Sequence, residues 1–354
     1  MTSSTQNLPT AEFTTRIKGL TSCKTRHALD AVFIITDVNR YYFTGLEASN
    51  GLLLLTSAPV FYTDFRYLTV ARKCVSFMAV KSLWRSTDEQ DTLATMGQAW
   101  RRVGYEGDVR AKRLEALRAA LPHVEWVDIS DAVSEMRSVK SPAEQRALRK
   151  AVRANRDVFA SVRKQLRPGI REWDVRNIIR REMDAVGQGE AFNTIVCAGR
   201  NSAECHHHPG EAVIRLNQPV LIDMGVKLGY YCSDMTRSFC LGTPSPFYKG
   251  IYRIVEGASH KALREIRPGL VCADIDAIAR QHIEKAGYGN YFGHALGHSL
   301  GLEVHETPSF SATCKTILKP GMTLTVEPGI YLPGRFGIRI EDVILVTPDG
   351  CEVL

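Results

Sequence analysis

A chain of 354 residues is longer than most single domains, and its 44% hydrophobic and 23% charged residues are typical of a globular protein. No apolar stretch approaches the roughly 18 residues of a membrane-spanning helix, and residues 1–6 lack the basic start and apolar run of a secretory signal. Nine cysteines without a C-x-x-C pair indicate reduced thiols, so we expect a cytoplasmic protein of two domains with no membrane partner.

The first part of the chain, to about residue 135, alternates predicted strands and helices. Short apolar runs between turn residues indicate the strands, and helical spacing of apolar residues indicates the helices. The predicted strands are 31–35, 52–55, 60–62 and 124–129, and the predicted helices are 87–102 and 111–120. This alternation predicts a small α/β domain over residues 1–137.

A domain boundary follows this part. Ser141-Pro142-Ala143-Glu144 has the form of a capping box with proline at the first helical position. We predict a long helix that begins there and ends near Leu166. The junction is predicted at Arg137 to Lys140, so the second domain covers residues 138–354.

The stretch 146–181 is unusually basic. It contains twelve lysines and arginines and three acids, within a chain of net charge +7. A nucleic-acid face is one interpretation of this charge. A solvated helix face is favoured, because neither interleaved aromatic residues nor a nucleic-acid motif accompanies it, and we expect no nucleic-acid partner.

The second part contains an internal repeat. Arg167-Pro168-Gly169-Ile170 recurs 100 residues later as Arg267-Pro268-Gly269-Leu270, and a strand-like run that ends in Asp223 recurs 104 residues later ending in Glu327. Coinciding turn motifs are the alternative explanation. The offset of 100 also pairs Asp174 with Asp274, Arg180 with Arg280, Gly187 with Gly287, and Phe192 with Phe292. This agreement at one offset over about 25 residues favours a duplicated αβ unit with a pseudo-two-fold axis.

Five residues of the second part are candidate metal ligands: Asp223, Asp234, His298, Glu327 and Glu341. A surface carboxylate is the ordinary alternative for any one acid, but these acids lie at the ends of apolar strand-like runs. Four converging carboxylates would repel one another unless cations lay between them. Oxygen ligands with one imidazole favour Mn²⁺, Co²⁺ or Fe²⁺ over structural Zn²⁺, and two such ions could lower the pKa of a shared water.

His206 and His305 are candidate catalytic groups. They lie 99 residues apart, at nearly equivalent places in the two halves of the repeat. Imidazoles at these places could donate to the oxyanion of a tetrahedral intermediate and move a proton to a leaving amine. An isolated histidine is more often structural. Here the equivalent places of the two histidines, beside the ligand candidates in the sequence, favour a catalytic role. The neighbouring His207 and His208 are interpreted as surface residues.

These motifs resemble the pita-bread metallopeptidases: methionine aminopeptidase, prolidase, aminopeptidase P and the non-metal relative creatinase. The resemblance covers the chain from about residue 140 onward, and residues 40–45 and 63–67 resemble the first domain that all but methionine aminopeptidase share. It implies an α+β fold: a C-terminal pita-bread domain with a pseudo-two-fold repeat and a smaller N-terminal α/β creatinase-like domain.

The resemblance also implies how the five ligand candidates hold two divalent ions. Asp223 and Asp234 bind one ion and His298 and Glu327 the other, while Asp234 and Glu341 bridge them. Glu327 is in addition the general base. Mn²⁺ is expected first, with Co²⁺, Fe²⁺ or Zn²⁺ as alternatives.

The remaining site residues that the resemblance implies are His206 and His305 for the tetrahedral intermediate, His294, Phe192 and Ile195 for the substrate, and Arg339 for orienting the bridging carboxylates or the substrate. The sequence departs from the family pattern at two places. Cys205 stands where a proline is common, and Ser299 replaces a common glycine after the ligand histidine. Both departures affect the expected shape of the pocket more than the catalytic groups.

The creatinase-like first domain implies the proline-peptidase branch of the family. We expect an Xaa-Pro aminopeptidase acting on peptides with proline at the second position, with the Xaa-Pro dipeptidase, or prolidase, as the alternative. A dipeptidase needs a positive group for the free carboxylate, and the run after His305, residues 306–310, contains no arginine. Xaa-Pro bonds suit a dedicated enzyme because proline has no N–H and a fixed φ.

A binding protein that kept the fold and lost catalysis is a further alternative. The basic stretch 146–181 would be its feature, but retention of every ligand candidate and both catalytic histidines argues against it. The same ligands argue against metal-free, creatinase-like hydrolysis. The resemblance also implies a homodimer.

Overall fold

The computed structural model describes residues 8–83 and 89–354. Its contacts divide the chain into two compact units, Met1–Arg137 and Ser138–Leu354. Residues 1–6, from which the sequence predicts no secretory signal, lie outside the described residues, as do positions 87 and 88 of one predicted helix. Among the described residues, no helix is long and apolar enough to cross a membrane.

The first unit is built on one six-stranded sheet. Its helices are α1 (Thr10–Arg26), α2 (Asp37–Thr44), α3 (Phe65–Cys74), α4 (Glu89–Met96), α5 (Ala111–Ala120) and α6 (Ser130–Ser138), and its strands are β1 (Ala31–Ile34), β2 (Gly51–Leu55), β3 (Pro59–Thr63), β4 (Ala79–Ser82), β5 (Arg102–Tyr105) and β6 (Glu125–Asp128). The strand order is β4-β3-β2-β1-β5-β6. The central strands β1 and β2 are apolar and wholly buried, as expected of strands covered on both faces. The four predicted strands and the helix 111–120 are confirmed.

The predicted helix 87–102 is wrong in its second half. Helix α4 ends at Met96, just before Gly97, a residue that disfavours helix continuation. Residues Arg102–Tyr105 form strand β5, which pairs in parallel with β1 and β6. Pairing on both edges satisfies the backbone there, so the tertiary contacts of the sheet override the helical spacing.

The second unit carries four long helices and twelve strands in its described residues. They are α7 (Pro142–Gln165), α8 (Glu172–Val186), β7 (Ile195–Ala198), β8 (Pro219–Met224), β9 (Lys227–Leu228), β10 (Tyr231–Cys232), β11 (Met235–Cys240), α9 (Pro246–Glu265), α10 (Cys272–Lys285), β12 (Gly297–Ser299), β13 (Glu306–Phe310), β14 (Thr323–Val326), β15 (Gly329–Leu332), β16 (Phe336–Arg339), β17 (Asp342–Val346) and β18 (Cys351–Val353), with short 3-10 turns at Gly199–Ala203 and Gly289–Tyr291. One sheet has the order β11-β8-β7, the other β13-β12-β14-β17-β18, and β9–β10 and β15–β16 are separate hairpins.

Helix α7 begins at the predicted capping box. The Ser141 hydroxyl accepts from the amide of Glu144, and the Glu144 carboxylate accepts from the amide of Ser141. These bonds satisfy two amides that the first helical turn leaves without partners. The helix ends at Gln165, as the sequence predicts. The basic stretch lies along α7 and the start of α8, where some of its arginines form ion pairs, such as Arg149 with Glu352.

The internal repeat is confirmed by matching backbone contacts. Gly169 and Gly269 both adopt positive φ, 89° and 91°, in the turns before α8 and α10. The Gly169 amide donates to the Ile214 carbonyl, and the Gly269 amide donates to the Leu318 carbonyl. Each half therefore folds a helix pair over its own sheet around a separate apolar core. The two halves differ in strand number, because β13 and β18 extend the second sheet.

Candidate active site

The four candidate carboxylates occupy matching positions in the two halves. Asp223 lies near the end of β8, opposite Thr236 of β11, and Asp234 lies immediately before β11. Glu327 directly follows β14, and Glu341 directly precedes β17, the antiparallel partner of β14. A small hairpin, β9–β10 or β15–β16, joins the members of each pair. Each half thus delivers two carboxylates from adjacent strands.

His298 brings its imidazole to these carboxylates from β12. Its Nε2 lies 3.3 Å from Oε1 of Glu327 and 3.7 Å from Oδ2 of Asp234. Its Nδ1 lies 3.2 Å from the carbonyl oxygen of Ser299. Donation from Nδ1 to that carbonyl leaves the lone pair of Nε2 directed at the carboxylates, which is the arrangement that a metal ligand needs.

All five candidate ligands line one cavity of about 630 Å³. Ligand atoms of Asp234, His298 and Glu341 lie within 4.8 Å of one another. Oδ1 of Asp223 and Oδ1 of Asp234 are buried without a hydrogen-bond partner among the described residues. Buried carboxylate oxygens are rarely left without partners, so these atoms fit a role as ligands of divalent ions.

The ionisation of the cluster supports the same role. Burial raises the pKa of Asp234 and Glu341, and the charges of the neighbouring carboxylates raise both further. Burial also raises the pKa of Glu327, to about 7. Burial and the adjacent His305 lower the pKa of His298 to about 4, which keeps its imidazole neutral. Cations among these groups would stabilise the ionised carboxylates and use the neutral imidazole.

Two threonines that the sequence interpretation missed bond the carboxylates of Glu341 and Glu327. The Thr236 hydroxyl donates to Oε2 of Glu341 at 2.6 Å and accepts from Nε of Arg339 at 3.0 Å. The Thr325 hydroxyl donates to Oε1 of Glu327 at 3.0 Å. Each bond orients one carboxylate group and leaves its other oxygen, Oε1 of Glu341 or Oε2 of Glu327, for a metal ion. Each threonine lies two residues from a ligand candidate, a spacing that places it on the same face of a strand.

Arg339 lines the cavity, but its guanidinium is bonded to other groups of the protein. Its Nη2 donates to Oδ2 of Asp223 at 2.5 Å, and its Nη1 donates to the hydroxyl of Tyr331 at 2.9 Å. That hydroxyl lies 2.9 Å from Nε2 of His294, whose Nδ1 lies 2.7 Å from the carbonyl of Ala295. Both ring nitrogens of His294 therefore have protein partners. Tyr331, missed in the sequence, joins Arg339, the partner of Asp223, to the predicted substrate contact His294.

His206 and His305 both line the cavity. The ring centroids of His305 and His298 are 4.4 Å apart in an edge-to-face arrangement, so His305 lies beside the ligand cluster. His206 precedes His207, which is half-buried rather than a surface residue. Nε2 of His207 lies 2.9 Å from Glu172, which is fully buried at the start of α8. Glu172 also accepts from the amides of Ala198 and Gly210, and so fastens the His206 segment to that helix.

The serine that departs from the family pattern has a specific partner. The Ser299 hydroxyl accepts from Nζ of Lys140 at 2.9 Å, and Nζ also lies 3.3 Å from Oε2 of Glu306. Lys140 and Glu306 have side chains only 1% and 6% exposed. The pair joins the start of α7 to the segment that carries His298 and His305.

The remaining predicted residues form part of the cavity wall. Phe192 and Ile195 line it, and Ile195 lies opposite Asp223 in the strand pairing of β7 with β8. Trp173 and Arg176 of α8 also line it and were not predicted. The repeat contains a signal for them. The equivalent positions 100 residues later hold Ala273 and Asp276, so Trp173 and Arg176 are not part of the pattern that the two halves share.

The family models and the relatives agree with this site. The model for Metallopeptidase family M24 matches residues 146–348, and that for the Creatinase/Prolidase N-terminal domain matches residues 16–139. An Xaa-Pro dipeptidase of Pyrococcus furiosus is 32% identical over 348 residues, covering 96% of this chain and 97% of the relative. A solved Xaa-Pro dipeptidase from Bacillus anthracis has a TM-score of 0.91 at 33% identity, covering 96% and 97%. A solved X-Pro aminopeptidase from Thermotoga maritima has a TM-score of 0.86 at 31% identity, covering 92% and 95%.

These matches define the class of the protein, a metallopeptidase with a creatinase-like N-terminal domain and a pita-bread C-terminal domain. The chain belongs to metallopeptidase family M24. The expected fold class is thereby confirmed. Membership of the family implies divalent metal ions, which the donor set described above fits.

Proposed function

We propose that this protein is an exopeptidase that hydrolyses the bond between an N-terminal residue and proline, with Xaa-Pro dipeptides as preferred substrates. The observation that carries the proposal is the convergence of the five ligand candidates with His206 and His305 on one cavity. The dipeptide preference is supported by the likeness to proteins named Xaa-Pro dipeptidase. It replaces the sequence-based preference for longer peptides, which rested on a missing positive group.

The ion ligands in this proposal are Asp223, Asp234, His298, Glu327 and Glu341, and Mn²⁺ is the proposed metal. When bound, such ions supply a water of lowered pKa and polarise the scissile carbonyl. Glu327 accepts the proton of the attacking water, and Thr325 holds Oε1 of that carboxylate in place. As the C–N bond breaks, the proline nitrogen leaves as an amine and takes up the proton that Glu327 accepted from the water.

The two histidines act on the peptide itself. His206 and His305 donate to the carbonyl oxygen as it gains charge, because imidazole N–H groups are suitable donors to a developing oxyanion. Phe192 and Ile195 supply apolar wall for the proline ring, which brings no N–H to be satisfied. Arg339 keeps Asp223 oriented rather than touching the substrate.

Action on longer peptides is the second candidate. The residue four after His305 is Ser309, which lines the cavity and carries no charge for a free carboxylate. Likeness to the X-Pro aminopeptidase supports the same candidate. A longer peptide would then continue past proline toward solvent.

A peptide panel tests the proposal. Ala-Pro, Ala-Pro-Ala and Ala-Ala are offered to the protein after loading with Mn²⁺, Co²⁺ or Zn²⁺, and released amino acids are quantified. Hydrolysis of Ala-Pro well above the other two supports the proposal. Higher kcat/KM for Ala-Pro-Ala would establish the second candidate, and equal hydrolysis of Ala-Ala would contradict proline specificity. Sedimentation of the same samples tests the expected homodimer.

A further inference from the structure

We propose that Arg176, backed by Trp173, binds the free carboxylate of the substrate. This inference rests on the proposed function and assigns the group that makes a dipeptide the preferred substrate. Both residues lie in the first turn and a half of α8 and line the cavity that holds the ligand candidates. They are three residues apart and so lie on one face of the helix, with the Arg176 guanidinium carbon 5.5 Å from the centre of the Trp173 ring.

Elimination of the other cavity cation supports this assignment. Among the described residues, two arginines and no lysine line the cavity. Arg339 is buried, and its nitrogens already bond Asp223, Tyr331 and Thr236. Arg176 has one hydrogen bond within the described part of the chain. A guanidinium carries five N–H donors, so most of those of Arg176 remain available to a ligand.

Glu190 holds the Arg176 side chain in position but occupies only one of its N–H donors. Its Nη2 donates to Oε2 of Glu190 at 3.2 Å, and Glu190 also accepts from the amide of Thr194, another cavity residue. The Arg176 side chain is only 16% exposed, so the ion pair is screened less than one at the surface. A positioned guanidinium loses less side-chain entropy when a carboxylate binds.

One guanidinium can serve two carboxylates at once, as a neighbour on the same segment demonstrates. Arg171 donates from Nε and Nη2 to Asp174 and from Nη1 to Glu211, all at 2.8 Å. The same arrangement would let Arg176 keep Glu190 on one edge and take the substrate carboxylate on another. Two parallel N–H bonds to a carboxylate are stronger and more directional than neutral hydrogen bonds.

The position of Arg176 also makes the two sides of the cavity different. The repeat places Ala273 and Asp276 where α8 has Trp173 and Arg176, and neither lines the cavity. Asp276 is buried and paired with Arg280 instead. Among the described cavity residues, the arginine with N–H donors to spare therefore comes from the first half of the repeat. A dipeptide would bind in one orientation, with its proline end toward α8.

The test compares acid and amide forms of one substrate. Replacement Arg176→Gln should raise KM for Ala-Pro roughly 10- to 100-fold, because charge-assisted hydrogen bonds contribute about 1.5–3 kcal/mol and each 1.4 kcal/mol is tenfold. KM for Ala-Pro amide, which has no carboxylate, should change less than about twofold on the same grounds. The variant Arg176→Lys keeps the charge without the fork and should fall between. Arg180→Gln, exposed on the same helix and outside the cavity, is the matched control.

Binding provides a readout that does not depend on turnover. Calorimetric titration of the metal-loaded protein should give tighter binding of acetylproline than of its amide, and Arg176→Gln should abolish that difference. The assignment would be overturned if the variant lost affinity for acetylproline and its amide equally, or lost affinity for neither. A wild-type protein that hydrolyses neither Ala-Pro nor Ala-Pro-Ala would overturn the proposed function, while the acid-to-amide ratio would still decide the role of Arg176.

Discussion

The Thr236 hydroxyl donates a 2.6 Å hydrogen bond to Oε2 of Glu341, although the two residues belong to different halves of the repeat. The same hydroxyl accepts from Arg339, which in turn bonds Asp223. Carboxylates from both halves are thus oriented by one connected set of hydrogen bonds. A disturbance at any member should reach both ends of the ligand cluster.

Metal removal should destabilise the protein most at high pH. The pKa values of Asp234, Glu327 and Glu341 are raised in the folded chain, so without metal these groups destabilise the fold above their raised pKa values. That destabilisation is relieved as pH falls through those values, about 7 for Glu327. Metal at about a hundredfold above Kd stabilises by about 2.7 kcal/mol, roughly 5–10 °C in Tm for a domain of this size.

Thermal unfolding of chelated and Mn²⁺-loaded protein between about pH 5.5 and pH 8 measures this effect. The gain in Tm on loading should shrink toward the acid end. Asp234→Asn should raise the Tm of the chelated protein and lose the response to metal, whereas the surface change Asp349→Asn should leave both unchanged. A gain in Tm that is the same at every pH would contradict the prediction.

The hydroxyl of Tyr331 should matter although it touches no ligand candidate. Tyr331→Phe removes the group between Nη1 of Arg339 and Nε2 of His294 and leaves both buried nitrogens without that partner. Loss of such a supporting hydrogen bond typically lowers activity or metal affinity about 10- to 100-fold. Steady-state kinetics and metal titration measure it, with Tyr291→Phe, at an exposed tyrosine, as control. Wild-type values for both quantities would contradict the prediction.

The buried pair of Lys140 and Glu306 should be destabilising when only one partner is removed. Lys140→Met removes the ammonium group 3.3 Å from the Glu306 carboxylate, whose side chain is 6% exposed, and should lower the free energy of unfolding by about 3–5 kcal/mol. Adding Glu306→Gln removes the buried negative charge and should recover part of that loss. Urea unfolding of both single variants and the double variant gives the coupling. Strictly additive losses would contradict the ion-pair interpretation.

His207 should make the stability of the His206 segment depend on pH. Burial lowers the pKa of His207, but hydrogen bonds to Glu172 and Glu204 outweigh that effect and raise the pKa above its usual value. A raised histidine pKa means stabilisation that is complete below about pH 6.5 and lost as pH rises through the folded value. The stability difference between wild type and His207→Gln should therefore narrow toward alkaline pH. His208→Gln, at an exposed neighbour, is the matched control for the substitution itself.

The sequence predicted those parts of the fold that depend on local patterns. The capping box fixed the start of α7, and the recurrence of Arg167-Pro168-Gly169-Ile170 predicted a duplication that the backbone contacts confirm. Helix 87–102 was overextended because the sheet context of Arg102–Tyr105 is set by distant strands. Local spacing carries no information about that pairing.

The supporting groups of the site were the part that the sequence did not reveal. Thr325, Tyr331 and Lys140 act through partners that are distant in sequence or carry no motif of their own. Arg176 has no motif of its own and lies far in sequence from residues 306–310, where the sequence argument expected a carboxylate-binding arginine. Arg176 comes from helix α8 of the first half of the repeat, whereas His305 belongs to the second half.

Because of the duplication, the full set of metal ligands exists only when both halves of the second unit have folded. Asp223 and Asp234 come from the first half, and His298, Glu327 and Glu341 from the second, so neither half alone carries the full ligand set. A nascent chain with only its first half folded would hold two carboxylates and no imidazole of the set. Tight binding of the ions would then begin only when both sheets have formed, and metal supply during synthesis would favour the completed fold over partly folded chains.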